Sequence, residues 1–356
     1  MRQMDFRAEL AKLTPRLRDN RPGKIYIFGA GWQWQGIHQW YINVVNTDLA
    51  DYIYAFVDND PAKQGTTHMG RPVISPPDLD LDNAVVLISS SLHNVEIRKQ
   101  LNNLGLVYAN GYFDPHCFNN ILMRFVYAET ASFTNSVKGG RCFIIGNGSS
   151  LSVEDLEKLQ KNNEVSFGVN KIMKVFNKTS WRPSYYFIHD MYILNEISIS
   201  DIYCPKFIGL HNAAKKLFDK NTYYFDIDLS PYYYDFPYRC KFSSNIERVY
   251  VGGSIIYTVI QAAVSIGFTE IYLLGTDQNF PIDVSHDGNI VTTRDTNAHF
   301  YNRNDSGVHI VTSLQTINVA LKCAREYCES HNIKIFNATR GGVIELFERV
   351  NFDSLF

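Results

Sequence analysis

A short glycine-rich segment, Gly146-Asn147-Gly148-Ser149-Ser150-Leu151, follows the apolar run CFII and has the residue types of a phosphate-binding turn. Such a turn, lying between a strand and a helix, exposes backbone N–H groups that suit phosphate oxygens. The amide of Asn147 could also bond a ribose, a base or a phosphate. Because many glycine turns are purely structural, this assignment needs support from other segments.

Three further segments place small and polar residues where the same edge of a sheet would lie. EVSFGVN ends in Asn170, EIYLLGTD ends in Asp277, and GGSIIYT opens a helix with two glycines and Ser254. The carboxyl ends of parallel strands meet at one edge, and open α/β sheets bind ligands there. We therefore predict a nucleotide site built from Gly146, Asn147, Gly148, Ser149, Asn170, Ser254 and Asp277.

Two residues could add reactivity to this site. His299, in the segment NAHFYN, has the side chain best suited to act as a general base near neutral pH, although a loop histidine with no role is the alternative. Asp190 ends the strand SYYFIHD at the same predicted edge. It would contact the donor or a metal ion, or else cap the next helix.

The first half of the chain carries a second glycine turn, Gly29-Ala30-Gly31, after the strand KIYIF. Asp58 lies at the end of the next strand, 27 residues after Gly31. In dinucleotide-binding enzymes an acidic residue at about this position hydrogen-bonds a ribose hydroxyl. However, Trp32 and Trp34 are bulky where phosphate would approach, and the spacing departs from GxGxxG. The alternative is a Rossmann-like module that positions, oligomerises or recognises something else.

Strands alternate with helices along both halves, which is typical of parallel α/β sheets. We predict two tandem Rossmann-like domains, an accessory domain over residues 1–125 and a second domain over residues 126–356 that contains the predicted nucleotide site. Residues 200–248 are rich in Tyr and Phe without clear periodicity, so we expect an irregular lid there. A helix is predicted after the final Arg-Gly-Gly.

The composition and the apolar runs of the sequence argue against several classes of protein. Lys+Arg 34 against Asp+Glu 36 gives no basic excess for nucleic-acid binding. The six cysteines form no CxxC pair, which disfavours a zinc ribbon and suits reduced thiols in the cytoplasm. The sequence shows neither a signal-peptide h-region nor an apolar run of about 18 residues. The sequence excludes neither a peripheral association with a membrane nor a homo-oligomer.

The second half resembles two related groups over about residues 140–345. The segments that carry the resemblance are GNGSSL, FGVN, GGSIIYT, EIYLLGTD and NATRGG. One group is the bacterial sialyltransferases that use a CMP-sugar donor. The other is the 6-hydroxymethylpterin pyrophosphokinase-like domain, which also occurs in flagellin-glycosylation proteins. Over residues 22–106, IFGAG, VDNDPAKQG, GRPVISPPDL and VVLISSS resemble small Rossmann-like domains attached to bacterial sugar-modifying enzymes.

The sialyltransferase resemblance implies that Asn147 and Asn170 bind the CMP moiety and that His299, followed by Phe300, is the general base. That family has a tyrosine just after the GxD motif, where this chain has Gln278. The leaving phosphate would then be held by Tyr257, Tyr301 or a tyrosine of residues 223–238.

The pterin-kinase resemblance implies a different chemistry, in which Asp277 and Asp190 hold Mg²⁺ for diphosphate transfer. Taken together, the sequence favours a glycosyltransferase for a nucleotide-activated sugar, most plausibly a CMP-linked acidic sugar, in bacterial surface-glycan assembly. That enzyme would need no cofactor. The alternatives are a Mg²⁺-dependent diphosphotransferase and a non-catalytic scaffold that keeps the nucleotide fold.

Overall fold

The computed structural model describes residues 3–18, 23–210, 221–233, 239–279, 282–284, 290–292 and 313–356. The chain forms two compact units, one built from residues up to Ala128 and the other from the described residues from Glu129 onward. Each unit has a parallel-rich sheet with helices. The predicted class, two tandem α/β domains of Rossmann-like type, is therefore confirmed.

The first unit contains a six-stranded sheet in the order β3-β4-β2-β1-β5-β6. All neighbours are parallel except the hairpin of β3 and β4. The central strands are almost wholly buried, as expected for a parallel sheet covered on both faces. The strands are β1 (Lys24–Phe28), β2 (Ala55–Val57), β3 (Thr67–His68), β4 (Arg71–Ile74), β5 (Ala84–Ile88) and β6 (Tyr112–Phe113). The helices are α1 (Phe6–Ala11), α2 (Trp32–Val45), α3 (Asn94–Asn103) and α4 (His116–Ala131), with 3₁₀ turns at Pro15–Leu17, Leu49–Tyr52 and Pro76–Asp78.

The second unit contains a nine-stranded sheet whose paired strands are all parallel. Its strands are β7 (Arg141–Ile145), β8 (Ser166–Val169), β9 (Tyr185–Ile188), β10 (Lys206–Gly209), β11 (Thr222–Asp228), β12 (Arg248–Tyr250), β13 (Glu270–Leu274), β16 (Lys334–Asn337) and β17 (Glu348–Arg349). A separate antiparallel pair joins β14 (Ile282–Val284) to β15 (Ile290–Thr292). The helices are α5 (Val153–Lys161), α6 (Met191–Glu196), α7 (Ser230–Tyr233), α8 (Ile255–Ile266) and α9 (Leu314–Ser330), with 3₁₀ turns at Asn170–Val175 and Phe352–Leu355.

The order of the large sheet, β12-β11-β10-β9-β8-β7-β13-β16-β17, reverses direction at its centre. From β7 the chain steps outward to β12 on one side, then returns to place β13 against the other side of β7. In open α/β sheets this reversal leaves a crevice at the carboxyl ends of the two central strands. The segments after β7, β8 and β13 are therefore the ones placed to form a site.

Helix α8 packs across this sheet against β7, β8, β9 and β12, and every one of its residues is buried. Its polar Gln261 is satisfied, because its amide accepts from the Tyr250 and Ser243 N–H groups and donates to the Tyr250 carbonyl. Gly267 ends the helix in the left-handed conformation. Among the helices that the structure describes, none is long and apolar enough to cross a membrane.

Two parts of the second unit differ from the sequence prediction. Residues 200–248, predicted as an irregular lid, contribute β10, β11 and β12 to the sheet, while residues 211–220 and 234–238 lie outside the described residues. Of these strands only β10 is buried along its whole length, and the Tyr- and Phe-rich β11 has no regular alternation of apolar and polar residues, so the sequence shows no period there. The helix predicted at the end of the chain is wrong, because β17 and a 3₁₀ turn occupy that stretch.

Candidate functional site

The glycine turn after β7 is fastened to the segment after β13. The Gly146 N–H donates to the Leu274 carbonyl at 2.8 Å and the Gly148 N–H to the Gly275 carbonyl at 2.8 Å. A Cβ on Gly148 would lie 2.5 Å from the Asp277 Cγ and 2.7 Å from the Gly275 oxygen. Glycine is thus required here by the close approach of two loops, at the reversal point of the sheet.

Asp277 holds this turn in place. Its carboxylate, in a residue that is 2% exposed, accepts from the Ser149 hydroxyl at 3.2 Å and from the Ser150 N–H at 2.8 Å. The Ser150 hydroxyl also donates to it. Hydrogen bonds to a charged acceptor are stronger than neutral ones, so this carboxylate is the anchor of the turn. Sequence reasoning missed Ser150, whose role is set by the loop geometry.

Fewer backbone N–H groups of this turn are available to a phosphate than its sequence predicts. The Gly148 and Ser150 N–H groups already donate to protein oxygens, and the Leu151 N–H donates to the Gly148 carbonyl at 3.2 Å. Asn147 uses its Nδ2 to bond the Val169 carbonyl at 3.1 Å, which ties the turn to the end of β8. These three N–H groups are therefore already used, so a ligand at this edge also needs other groups to bond.

Two amide side chains supply such groups. Asn170 follows β8 and Gln278 follows Asp277 beyond β13, so the strands leading to them lie on either side of β7. Within the described part of the chain, the Asn170 Oδ1 and both polar atoms of the Gln278 amide are shielded from solvent without a hydrogen-bond partner. Both residues have a left-handed backbone, with φ of 49° and 58°. Sequence analysis noted Gln278 only as a departure from a family tyrosine.

The NATRGG segment encloses the other side of Asp277. Gly342, at φ 73°, packs so closely that a Cβ would lie 2.8 Å from the Asp277 Cα. The Val343 N–H donates to the Asp277 carbonyl at 2.9 Å, and the Thr276 and Thr339 hydroxyls are 3.0 Å apart. This segment therefore packs against Asp277 together with the turn.

Arg340 of this segment links the site to the last residues of the chain. It pairs with the buried Asp155 of α5, which also takes part in a capping box with Ser152, and it bonds the Asp353 carboxylate at 3.0 Å. These pairs raise the pKa of the Arg340 guanidinium, chiefly through the hydrogen bond to Asp155. The network fixes the start of α5, the helix that the turn leads into.

The remaining predicted site residues have other partners or lie outside the description. Ser254 caps α8 by accepting from the Ile256 N–H at 3.2 Å, and Asp190 caps α6 through the Tyr192 and Ile193 N–H groups. Tyr257 is fully buried, and its hydroxyl donates to the Lys241 carbonyl at 2.7 Å. His299, Phe300 and Tyr301 lie outside the described residues.

A magnesium ion does not fit the acids that the structure describes. In the described ranges, no cluster of three or more His, Cys, Asp or Glu side chains is placed to hold a metal. Asp277 is occupied by three donors, and Asp190 by the two N–H groups of α6. A cation bound by Asp277 would compete with its three donors, whereas both bonds to Asp190 go to its Oδ1.

The first unit repeats this arrangement of a carboxylate beneath a glycine turn. The Asp58 carboxylate accepts from the Ala30 and Asp60 N–H groups, both at 3.0 Å, and from the Lys63 ammonium at 2.9 Å. Burial alone would raise the pKa of Asp58, but these hydrogen bonds and the Lys63 charge hold it below its usual value. Asp58 is thus engaged with its own turn at the position where a dinucleotide ribose would bind.

The tryptophans after that turn point in different directions. Trp34 is buried against Phe56 and Phe118 and stacks on His38, whereas Trp32 is 73% exposed. Trp34 therefore packs in the core rather than over the turn, whereas the Trp32 side chain is exposed to solvent beside it. Nothing in these contacts identifies a ligand for the first unit.

Comparisons with known proteins match each half separately. The family described as MptE-like, 6-hydroxymethylpterin diphosphokinase MptE-like, matches residues 116–283, a little under half of the chain. The family described as C2185-like, N-terminal, matches residues 22–109. No curated protein matches the chain. A solved structure of the MAf glycosyltransferase from Magnetospirillum magneticum AMB-1 aligns at 14% identity and a TM-score of 0.39, over 99% of this chain and 62% of that one. This chain therefore spans less than two thirds of that protein's length.

Proposed function

We propose that this protein is a glycosyltransferase that takes its sugar from a nucleotide-activated donor, specifically a CMP-linked acidic sugar, in the assembly of a bacterial surface glycan. The observation that carries the proposal is the pair of amides at the reversal point of the large sheet. Asn170 and Gln278 have polar atoms that are shielded from water and lack a hydrogen-bond partner among the described residues, and they follow strands on either side of the glycine turn.

A shielded amide without a partner costs free energy in the ligand-free protein, on the order of 1–3 kcal/mol. A bound group that offers both a donor and an acceptor would recover that cost. The edge of a pyrimidine base and the hydroxyls of a ribose have this character. The Gln278 amide, with its oxygen and nitrogen both unpaired within the described residues, matches such a group best.

The occupied carboxylates favour a donor that needs no metal ion. Asp277 and Asp190, the acids proposed for Mg²⁺, both stabilise protein structure through hydrogen bonds. A monophosphate-linked donor carries less charge than a diphosphate and depends less on a cation. His299 is the proposed general base, which removes the proton from the acceptor hydroxyl as its oxygen attacks the anomeric carbon and the nucleotide leaves. Tyr301 is proposed to contact the leaving phosphate.

A second candidate, a Mg²⁺-dependent diphosphotransferase, is favoured by the match of residues 116–283 to the MptE-like diphosphokinase family. The two candidates differ in the nucleotide they bind and in their need for metal. Diphosphate transfer requires a cation to neutralise the transferring group, whereas the proposed sugar transfer does not.

The experiment is a calorimetric titration of the full chain with CMP, and separately with ATP, in EDTA and in Mg²⁺. CMP should bind equally well in both buffers. The variant Gln278→Met, of similar shape, should bind CMP about 5- to 100-fold more weakly, the loss of about 1–2.7 kcal/mol expected for a hydrogen-bonded amide. Its thermal midpoint should stay equal or rise, because the substitution removes a shielded polar group that has no hydrogen-bond partner within the described ranges.

The controls separate the alternatives. His299→Ala should bind CMP as the unmodified protein does, because a base that acts on the acceptor does not hold the donor. Binding of ATP only in Mg²⁺ would replace the proposal with the diphosphotransferase, and binding of neither would favour a scaffold. A Gln278→Met protein that is less stable but binds CMP normally would show that the amide is structural.

A further inference from the structure

Two of the six cysteines lie against one buried tyrosine hydroxyl in the second unit. The Cys240 thiol is 2.8 Å from the Tyr257 Oη, and the Cys323 Sγ is 3.8 Å from the same oxygen. The Tyr257 hydroxyl also donates to the Lys241 carbonyl, and these two oxygens are 2.7 Å apart. The two sulfurs are therefore neighbours although 83 residues separate them in sequence.

The segment around Cys240 already lies along α9, the helix that carries Cys323. The Phe242 and Tyr327 rings stack with their centroids 4.2 Å apart, and the Cys240 thiol lies 3.9 Å from the Ala320 carbonyl, one turn before Cys323. Both cysteines are partly exposed, so a small oxidant can reach them. The two cysteines are thus carried by segments that already pack against each other.

Cys323 also differs from the buried cysteines in acidity. Its hydrogen bond with the Cys240 thiol lowers the pKa of Cys323 to about 7, against the opposing effects of burial and of the Glu326 carboxylate, while Tyr257 adds a second lowering contact. Burial raises the pKa of Cys117 and of Cys328 to about 12. A thiolate is the reactive form of cysteine, so Cys323 is the thiol prepared to react near neutral pH.

We propose that Cys240 and Cys323 are a redox modification site that closes to a disulfide under peroxide and reopens under a dithiol. The Cys323 thiolate attacks one oxygen of hydrogen peroxide, breaks the O–O bond and becomes a sulfenic acid, while hydroxide leaves and is protonated to water. The Cys240 sulfur then attacks the Cys323 sulfur, and the sulfenic oxygen leaves as a second water. Overall, two thiols and one peroxide give one disulfide and two waters.

The disulfide would fasten the segment 239–242 covalently to α9. A link across so long a loop restricts the unfolded chain, so oxidation is expected to raise the thermal midpoint. In the reduced state the same contact is held by weaker bonds among Cys240, Tyr257 and Cys323. This inference stands apart from the proposed sugar transfer, because it needs neither the donor nor the acceptor.

The test is to treat the full chain with hydrogen peroxide and measure free thiols under denaturing conditions, followed by mass spectrometry of the unreduced peptides. We expect the thiol count to fall by two from the six free cysteines, with the peptides of Cys240 and Cys323 linked within a single chain. Dithiothreitol should restore the count. Cys240→Ser and Cys323→Ser should each abolish the linked peptide, whereas the control Cys204→Ser should retain it.

Because the linked peptide is sought in the unmodified protein, folding defects in the variants do not obscure the result. A disulfide between other cysteines, a link between two chains, or oxidation of Cys323 to a sulfinic acid without a linked peptide would each overturn the proposal.

Discussion

Each unit uses one aspartate to hold a glycine turn against its sheet. Asp277 accepts from the Ser149 and Ser150 hydroxyls and the Ser150 N–H, and Asp58 accepts from the Ala30 N–H beneath the first turn. Sequence patterns place both acids at strand ends, where ligand contact is the usual interpretation. The structure gives both a role in shaping the turn. An acid at a strand end is therefore ambiguous until its partners are known.

Asp277→Asn tests this anchoring role. The asparagine can still accept from the Ser150 N–H, but it is a neutral acceptor, and hydrogen bonds to a neutral acceptor are weaker than those to a carboxylate. We expect the free energy of unfolding to fall by about 1–3 kcal/mol, measured by urea denaturation. The exposed Asp201 is a control, and Asp201→Asn should change stability by less than about 0.5 kcal/mol. Equal stability of the two variants would contradict an anchoring role for Asp277.

At the scale of elements, periodicity and composition predict most of the sheet. KIYIF, RCFII and EIYLL are apolar runs that end in glycines or polar residues, and they form the central strands β1, β7 and β13. The strands β10 to β12 could not be recognised, because their Tyr and Phe residues give no alternation. Nor could the sequence predict that the Asn170 oxygen and the Gln278 amide would lack a hydrogen-bond partner in the described part of the chain. Whether an amide finds a partner depends on loops that meet only in the folded chain.

The glycine turn after β7 packs closely against the segment after β13 that carries Asp277, and a substitution can test this contact. Gly148→Ala would place a methyl group 2.5 Å from the Asp277 Cγ, so the turn must move away from Asp277. We expect a loss of about 1–3 kcal/mol in thermal or urea unfolding, together with weaker CMP binding. The matched control is Gly36→Ala within α2, where a Cβ meets nothing within 4 Å.

The control should be neutral or stabilising by up to about 1 kcal/mol, because alanine favours a helix more than glycine does. A Gly148→Ala protein as stable as the Gly36→Ala protein would show that the turn tolerates a side chain and that the contact with Asp277 is dispensable.

At the scale of the whole molecule, the two α/β units have similar glycine turns but differ in the polar groups near the turn that a ligand could bond. In the first unit Asp58 is paired with Lys63, and no described contact there calls for a ligand. In the second unit the central reversal of a nine-stranded sheet brings Asn170 and Gln278 to the ends of strands that flank β7. We therefore expect a nucleotide to bind the second unit and not the first, although both have a glycine turn after a central strand.

Hydrogen exchange followed by mass spectrometry can locate the ligand along the whole chain. A ligand at 100 times its Kd stabilises the bound state by about 2.7 kcal/mol, which slows exchange about 100-fold at amides whose opening disrupts the site. CMP should therefore protect residues 146–151 and 275–278, and leave residues 28–31 and 58–60 unchanged. Gln278→Met at the same CMP concentration should lose most of that protection. Protection confined to residues 28–31 and 58–60 would place the nucleotide in the first unit, and the proposed role of the Asn170 and Gln278 amides in nucleotide binding would then be wrong.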